Sequence, residues 1–129
     1  MVIDATRGGL WDASLATAGH TGNGLGTDGG MMGFVTDSSG TALDGATVSC
    51  DNQGSPCASV YYLDADDSDG FFSTGSTANT ETSAAASSAF VVPGAPIWTY
   101  QASHASETFQ SQLFGSVPGM ITVMTFIAD

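Results

Sequence analysis

Short apolar runs, broken every few residues by Asp/Gly turns, restrict this chain to short antiparallel strands. The pattern is clearest in GFVTDSSGTALDGATVSC, from Gly33 to Cys50. An apolar run reaches Val35, and Asp37-Ser38-Ser39-Gly40 follows as a turn. Asp44-Gly45 makes a second tight turn, after which Ala46-Thr47-Val48-Ser49 alternates apolar and polar. Runs of this kind bounded by Asp, Ser and Gly are strand signals, so residues 31–50 are expected to form a first hairpin.

The rest of the chain repeats the signal. Ala58 to Leu63 is rich in β-branched and aromatic residues and reads as a strand. It runs into the acidic turn Asp64 to Gly70, and Phe71 to Thr74 resumes. Residues 73–88 are a Ser/Thr/Ala-rich loop of low complexity. Ala89 to Val92 and Ile97 to Ala102 are strands separated by a Pro-Gly turn, and Gly119 to Ala128 is the closing strand.

Four of these segments carry a resemblance. Residues 33–48 read G-x-V-x-D-x-x-G-x-x-L-x-G-A-x-V. Asp67-Ser68-Asp69-Gly70-Phe71-Phe72 forms a D-x-x-G-x-F turn, with Asp66 where a threonine is usual. Phe90-x-Val92-Pro93-Gly94 leads, over a longer gap than usual, to Tyr100-x-Ala102, and the closing strand follows. In this order the segments resemble the carboxypeptidase regulatory-like domain over about residues 31–129. The resemblance implies a transthyretin-like (prealbumin-type) sandwich of about seven strands, in a family that is mostly non-catalytic. The expected fold is therefore all-β: an Ig-like/transthyretin-like antiparallel β-sandwich over residues 31–129, preceded by an extended N-terminal arm over residues 1–30.

Composition narrows the partners. The 129 residues suffice for one domain and an extension, and a 42% hydrophobic content supports a packed core. Thirteen acidic residues face one basic residue, Arg7, for a formal charge of −12. Nucleic acid is excluded as a partner, because phosphate neutralisation requires Lys and Arg. Anionic membrane surfaces are disfavoured for the same reason, and no apolar run is long enough for a spanning helix. Met1-Val2-Ile3-Asp4 lacks a signal-peptide pattern, which is compatible with a mature fragment or a piece of a longer precursor. Cys50 and Cys57 are the only cysteines and bracket a turn-rich hexapeptide. A disulfide clasp suits them better than a zinc site, which would need further Cys or His ligands. A disulfide implies an oxidising compartment, and the expected location is extracellular, secreted or on the cell surface.

The arm differs from the rest. Glycines stand at 19, 22, 24, 26, 29, 30 and 33. Such density suits a linker, or a backbone packed close against something else. Asp12 to Ala16 reads equally as a capped helical turn or as an extended segment.

Candidate chemistry is sparse. Asp64, Asp66, Asp67 and Asp69 offer hard oxygen ligands for Ca²⁺, although their spacing is not that of an EF-hand loop. No cofactor is otherwise expected. His20 and His104 are the only histidines, and no nucleophile elbow accompanies the Ser103, Ser106 and Glu107 cluster, so no enzyme is expected. Trp98 and Tyr100 share one face of their strand, as core residues or as a sugar-stacking platform. The Ser/Thr-rich loop 73–88 is a candidate region for O-glycan attachment, and the sequence has no N-x-S/T sequon.

Assembly has the strongest physical support. The last strand puts Ile121, Val123 and Ile127 on one face, and Met120, Met124, Phe126 and Ala128 on the other. A sandwich strand normally shows one dry face, so a second cover is required. No lysine guards any strand edge. The expected function is a non-catalytic structural one: a self-associating surface or filament subunit, a homo-oligomer or homopolymer joined by arm or strand exchange. Leu10, Trp11 and Leu15 are the candidate arm anchors, Met124 and Phe126 the receiving face, and Arg7 a counter-charge for acidic surface. The alternative is a monomeric accessory module of a secreted protein that binds carbohydrate or calcium.

Overall fold

A computed structural model describes residues 12, 15–16, 21, 24–52, 55–56, 59–63, 73–74, 77–78, 82 and 87–129. One helical turn, α1 (Leu25–Asp28), leads into β1 (Gly30–Thr36). β2 (Thr47–Asn52) and β3 (Ser55–Pro56) pair as a hairpin, and β4 (Tyr61–Tyr62) follows. β5 (Ser73–Thr74) and β6 (Thr77–Ala78) form a small ribbon. The chain closes with β7 (Ala89–Pro93), β8 (Trp98–Ser103), β9 (Gln112–Phe114) and β10 (Ile121–Ile127).

The architecture is an all-β sandwich. One sheet has the order β10-β1-β7-β4 and the other β3-β2-β8-β9. Among the described strands every pairing is antiparallel except one: β1 and β10 run parallel, with Gly30 opposite Ile121 and Thr36 opposite Ile127. Parallel neighbours cannot be joined by a tight turn. Here the rest of the domain is the connection.

The interior lies between the sheets. Met31, Val35, Phe90, Val92, Met124 and Phe126 from the first sheet meet Val48, Cys50, Tyr100 and Ala102 from the second. The Phe126 ring sits 6.3 Å from Phe90 and meets Phe109 nearly edge-on at 6.4 Å, the spacing at which aromatic pairs attract. Gly33 lies opposite Phe90, and a Cβ there would stand 2.2 Å from the ring. Only glycine lets the Phe90 ring lie across β1. Cys50 is buried in this core and disulfide-bonded; Cys57, the other cysteine of the chain, lies outside the described residues.

Residues 31–50 do not form a hairpin. β1 pairs with β7 and β10, whereas β2 belongs to the opposite sheet. The turn at Asp37 is real, but it closes only a single bridge, Thr36 to Ala42, before the chain crosses between layers. Asp37 Oδ1 accepts from the Ser39 amide and hydroxyl and from the Thr41 amide, at 2.7–2.9 Å. These hydrogen bonds, led by the Ser39 hydroxyl, hold its carboxyl below the usual range. Beyond the turn, the Leu43 carbonyl accepts from the hydroxyls of both Thr82 and Ser88. The Ala46 amide donates to Thr82 Oγ1 at 3.0 Å. Two buried hydroxyls thus satisfy the backbone of the crossing, as burial demands. Ser87 and Ser88 adopt left-handed backbone, with φ of 59° and 52°, which L-residues accept at a cost.

Tyr62 ties one layer to the other. The Val48 amide donates to its hydroxyl at 2.8 Å, and the hydroxyl lies 3.4 Å from the Val48 carbonyl. Among the described residues β2 has no strand neighbour on that side at Val48, so the Tyr62 hydroxyl takes the place of a ladder partner. Tyr62→Phe is expected to lower unfolding stability by about 1–3 kcal/mol, the cost of leaving buried backbone groups unpaired, as read from urea denaturation midpoints.

All three tyrosines of the chain are buried, and burial raises each hydroxyl pKa, that of Tyr100 to about 12. The unfolded chain ionises near 10. A raised folded value means a stability contribution that is complete below pH 10 and is lost as pH climbs through the folded values. Tyrosinate absorbance is therefore expected to appear above pH 10 together with loss of the β circular dichroism signal. Independent titration near pH 10 with the fold intact would contradict this packing.

Candidate assembly surface

The outer face of the β10-β1-β7-β4 sheet is apolar. Strand alternation and register place Ile121, Val123 and Ile127 of β10 outward, beside Met32 and Phe34 of β1 and Val91 and Ala89 of β7. None of these three strands contains a charged residue. β7 is apolar at nearly every position because both of its faces are covered: Phe90 and Val92 point into the sandwich, and Val91 points the other way.

The cover on that far side comes from the arm. Leu15 is completely buried and packs with Leu25, Tyr61, Val91 and Ile121, flanked by Met32 and Leu63. Asp12, Leu15 and Ala16 are helical in backbone, which settles these positions in favour of helix over an extended segment. Asp12 Oδ1 accepts the Leu25 amide at 2.8 Å, the first free donor of α1, and so staples the arm to the turn that enters β1. A Cβ on Gly30 would stand 2.5 Å from Leu25 Cδ2, so this glycine lets Leu25 lie flat on the sheet. The arm segment around Leu15 and Leu25 is thus a small third layer, docked on the chain's own sandwich.

That layer covers only part of the face. Val123 remains 44% exposed and Ile127 57% exposed, and Phe34 is half-buried beside them. Their register partners Thr125 and Thr36 are uncharged.

The candidate residues fall in different places. Leu15 lies on the outer face. Met124 and Phe126, expected to receive the arm, point instead into the sandwich core; the outward set on β10 is Ile121, Val123 and Ile127. The strand period separates the two sets, but which one turns inward is decided by the opposite sheet. Leu10, Trp11, Arg7, His20, Asp64, Asp66, Asp67 and Asp69 lie outside the described residues. Among the described residues, no three His, Cys, Asp or Glu side chains gather in a way that could hold a metal ion. Tyr100 is core, with its hydroxyl donating to the Pro96 carbonyl at 2.8 Å, whereas Trp98, on the same side of β8, is 41% exposed at the end of the strand. His104 makes loop contacts: Nδ1 accepts the Ser106 amide at 3.3 Å, so Nε2 carries the proton and donates to the Asp44 carbonyl at 2.9 Å. In the Ser/Thr-rich stretch, Thr82 and Ser88 are buried and hydrogen-bonded, which withdraws them from glycan attachment. No described helix is long and apolar enough to cross a membrane.

No protein-family model matches the chain, and no curated protein matches it.

The Asp12 contact generates a direct expectation. Asp12→Ala is expected to speed hydrogen exchange at the Leu25 amide by about fivefold or more, the equivalent of roughly 1 kcal/mol for a lost cap. Asp12→Asn, which keeps an acceptor oxygen, is expected to exchange close to wild type. Equal exchange in wild type and Asp12→Ala would show that the staple contributes nothing.

Proposed function

We propose that this chain is a non-catalytic, extracellular structural subunit that associates with copies of itself, as an oligomer or a filament. The observation that carries the reading is Leu15, fully buried on an outer sheet face through a segment joined to the domain by a glycine-rich stretch. An element that docks from outside onto a finished sandwich can make the same contacts on a neighbouring copy, which is the basis of domain swapping. The acidic composition and the disulfide at Cys50 support an oxidising, extracellular setting. The turn at Asp37 to Gly40 and the sandwich around it are compatible with the carboxypeptidase regulatory-like resemblance, which forms part of this reading.

Exchange of the arm competes with its own docking in the same chain. A short connection in sequence holds a tethered segment at an effective concentration on the order of millimolar. Exchange is therefore favoured at high subunit concentration, or wherever something else brings copies together. Electron microscopy and light scattering of the concentrated native protein are expected to show assemblies well above the 13.0 kDa chain mass. Removal of residues 1–16 is expected to abolish them. An association state unchanged by that removal would refute arm exchange.

A further inference from the structure

We propose that residues 2–6 of the arm add as a strand to the open part of the β10 edge in the same chain, and so close the longest exposed margin of the sandwich. The inference concerns a single copy and does not rest on the self-association reading.

β10 is the outermost strand of its sheet and has seven residues, whereas the other outer strands, β3, β4 and β9, have two, two and three. Its backbone groups sort by parity. The Gly30 amide donates to the Met120 carbonyl, and the Ala128 amide donates to the Thr36 carbonyl. Bonding residues alternate along a ladder, so the even-numbered positions of β10 face β1 and the odd-numbered ones face the opposite side. The later half of that side is already used by the chain. The Asp129 amide donates to the Thr108 carbonyl at 2.9 Å, and Gln112 Nε2 donates to the Thr125 carbonyl at 3.3 Å. At Ile121 and Val123 no group among the described residues takes the backbone amide or carbonyl on that side. β10 carries no charge and no proline, and the chain has no lysine, so the usual guards of an edge are missing.

Two observations point to the start of the arm as the occupant. First, the open part begins where the arm is anchored, since Leu15 and Ile121 share one buried cluster. Residues 1–11 lie outside the described residues, and eight positions, 7–14, separate residue 6 from that anchor. Extended, they reach about 26 Å, twice the roughly 13 Å from Ile121 to Thr125. Gly8-Gly9 supplies a turn on the way. Second, Val2-Ile3-Asp4-Ala5-Thr6 carries a strand signal. Ile3 and Ala5 share one side of such a strand, and Asp4 and Thr6 share the other, the alternation that suits the margin of a sheet. The tether gives this segment an effective concentration on the order of millimolar, which excludes free strands present at less.

The test is amide hydrogen exchange, read by NMR on dilute protein whose light scattering gives one chain mass. In the intact chain the Ile121 and Val123 amides are expected to be protected, as are those of Thr122 and Met124. Arg7 is the only trypsin site, so trypsin releases the residues up to Arg7. Exchange at Ile121 and Val123 is then expected to rise at least tenfold, with Thr122 and Met124 unchanged. The double substitution Ile3→Pro/Asp4→Pro removes one donor of each parity without touching the sandwich, and is expected to act as the cleavage does. Fast exchange at Ile121 and Val123 in the intact chain would overturn the proposal, and so would protection that survives the removal. Protection confined to associated samples would assign the strand to a neighbouring copy, which overturns the own-chain assignment and leaves self-association standing. Protection lost on cleavage, in a chain that never exceeds one chain mass at any concentration, would uphold the added strand and end the self-association reading.

Discussion

β1 is packed on both sides, and much of the structure follows from that constraint. Met31 and Val35 face the sandwich interior, while Met32 and Phe34 face outward. The strand lies between β10 and β7, so its outer face is central in the sheet rather than at a margin. A two-layer sandwich leaves such a face wet, and apolar surface left in water costs about 25 cal/mol per Å². The chain covers it in part with a third layer built from Leu15 and Leu25. The glycine-rich sequence between the arm and β1 has a local purpose in this packing, because at Gly30 the bare backbone accepts a leucine at close range.

The sequence made the strands legible but not their partners. β7, β8 and β10 lie where apolar runs and Pro-Gly turns predict them, because those signals are local. β9 is three residues of QLF without alternation and leaves no comparable trace. Residues 33–50 show the same limit. Two turn signals between two apolar runs read as a hairpin, yet the chain uses them to change layers, and the hydroxyls that anchor the change belong to Thr82 and Ser88, far along the sequence. Each of those residues resembles its neighbours in a low-complexity tract, so nothing local marks their hydroxyls as structural.

The candidate surface was half legible for a related reason. A strand that is apolar at both parities announces that two covers exist. It does not say which parity meets the opposite sheet, because that depends on strands distant in sequence. Met124 and Phe126 are larger than Val123 and similar in character to Ile127, and hydropathy alone does not rank them. The inward set is fixed by the aromatic cluster with Phe90 and Phe109, which exists only after β7 and the segment before β9 have come together.

Pairing the first strand of the sandwich with the last has a temporal consequence. As the chain is synthesised, β1 emerges well before β10, so the edge of β1 that β10 will occupy stays open until β10 has been made. Non-local pairings of this kind close late and fold slowly. Until then that edge presents unpaired backbone groups with no lysine to deter another strand. The sheet of β10, β1, β7 and β4 is therefore unfinished until that seven-residue strand pairs, and β10 decides when the sandwich becomes a closed body.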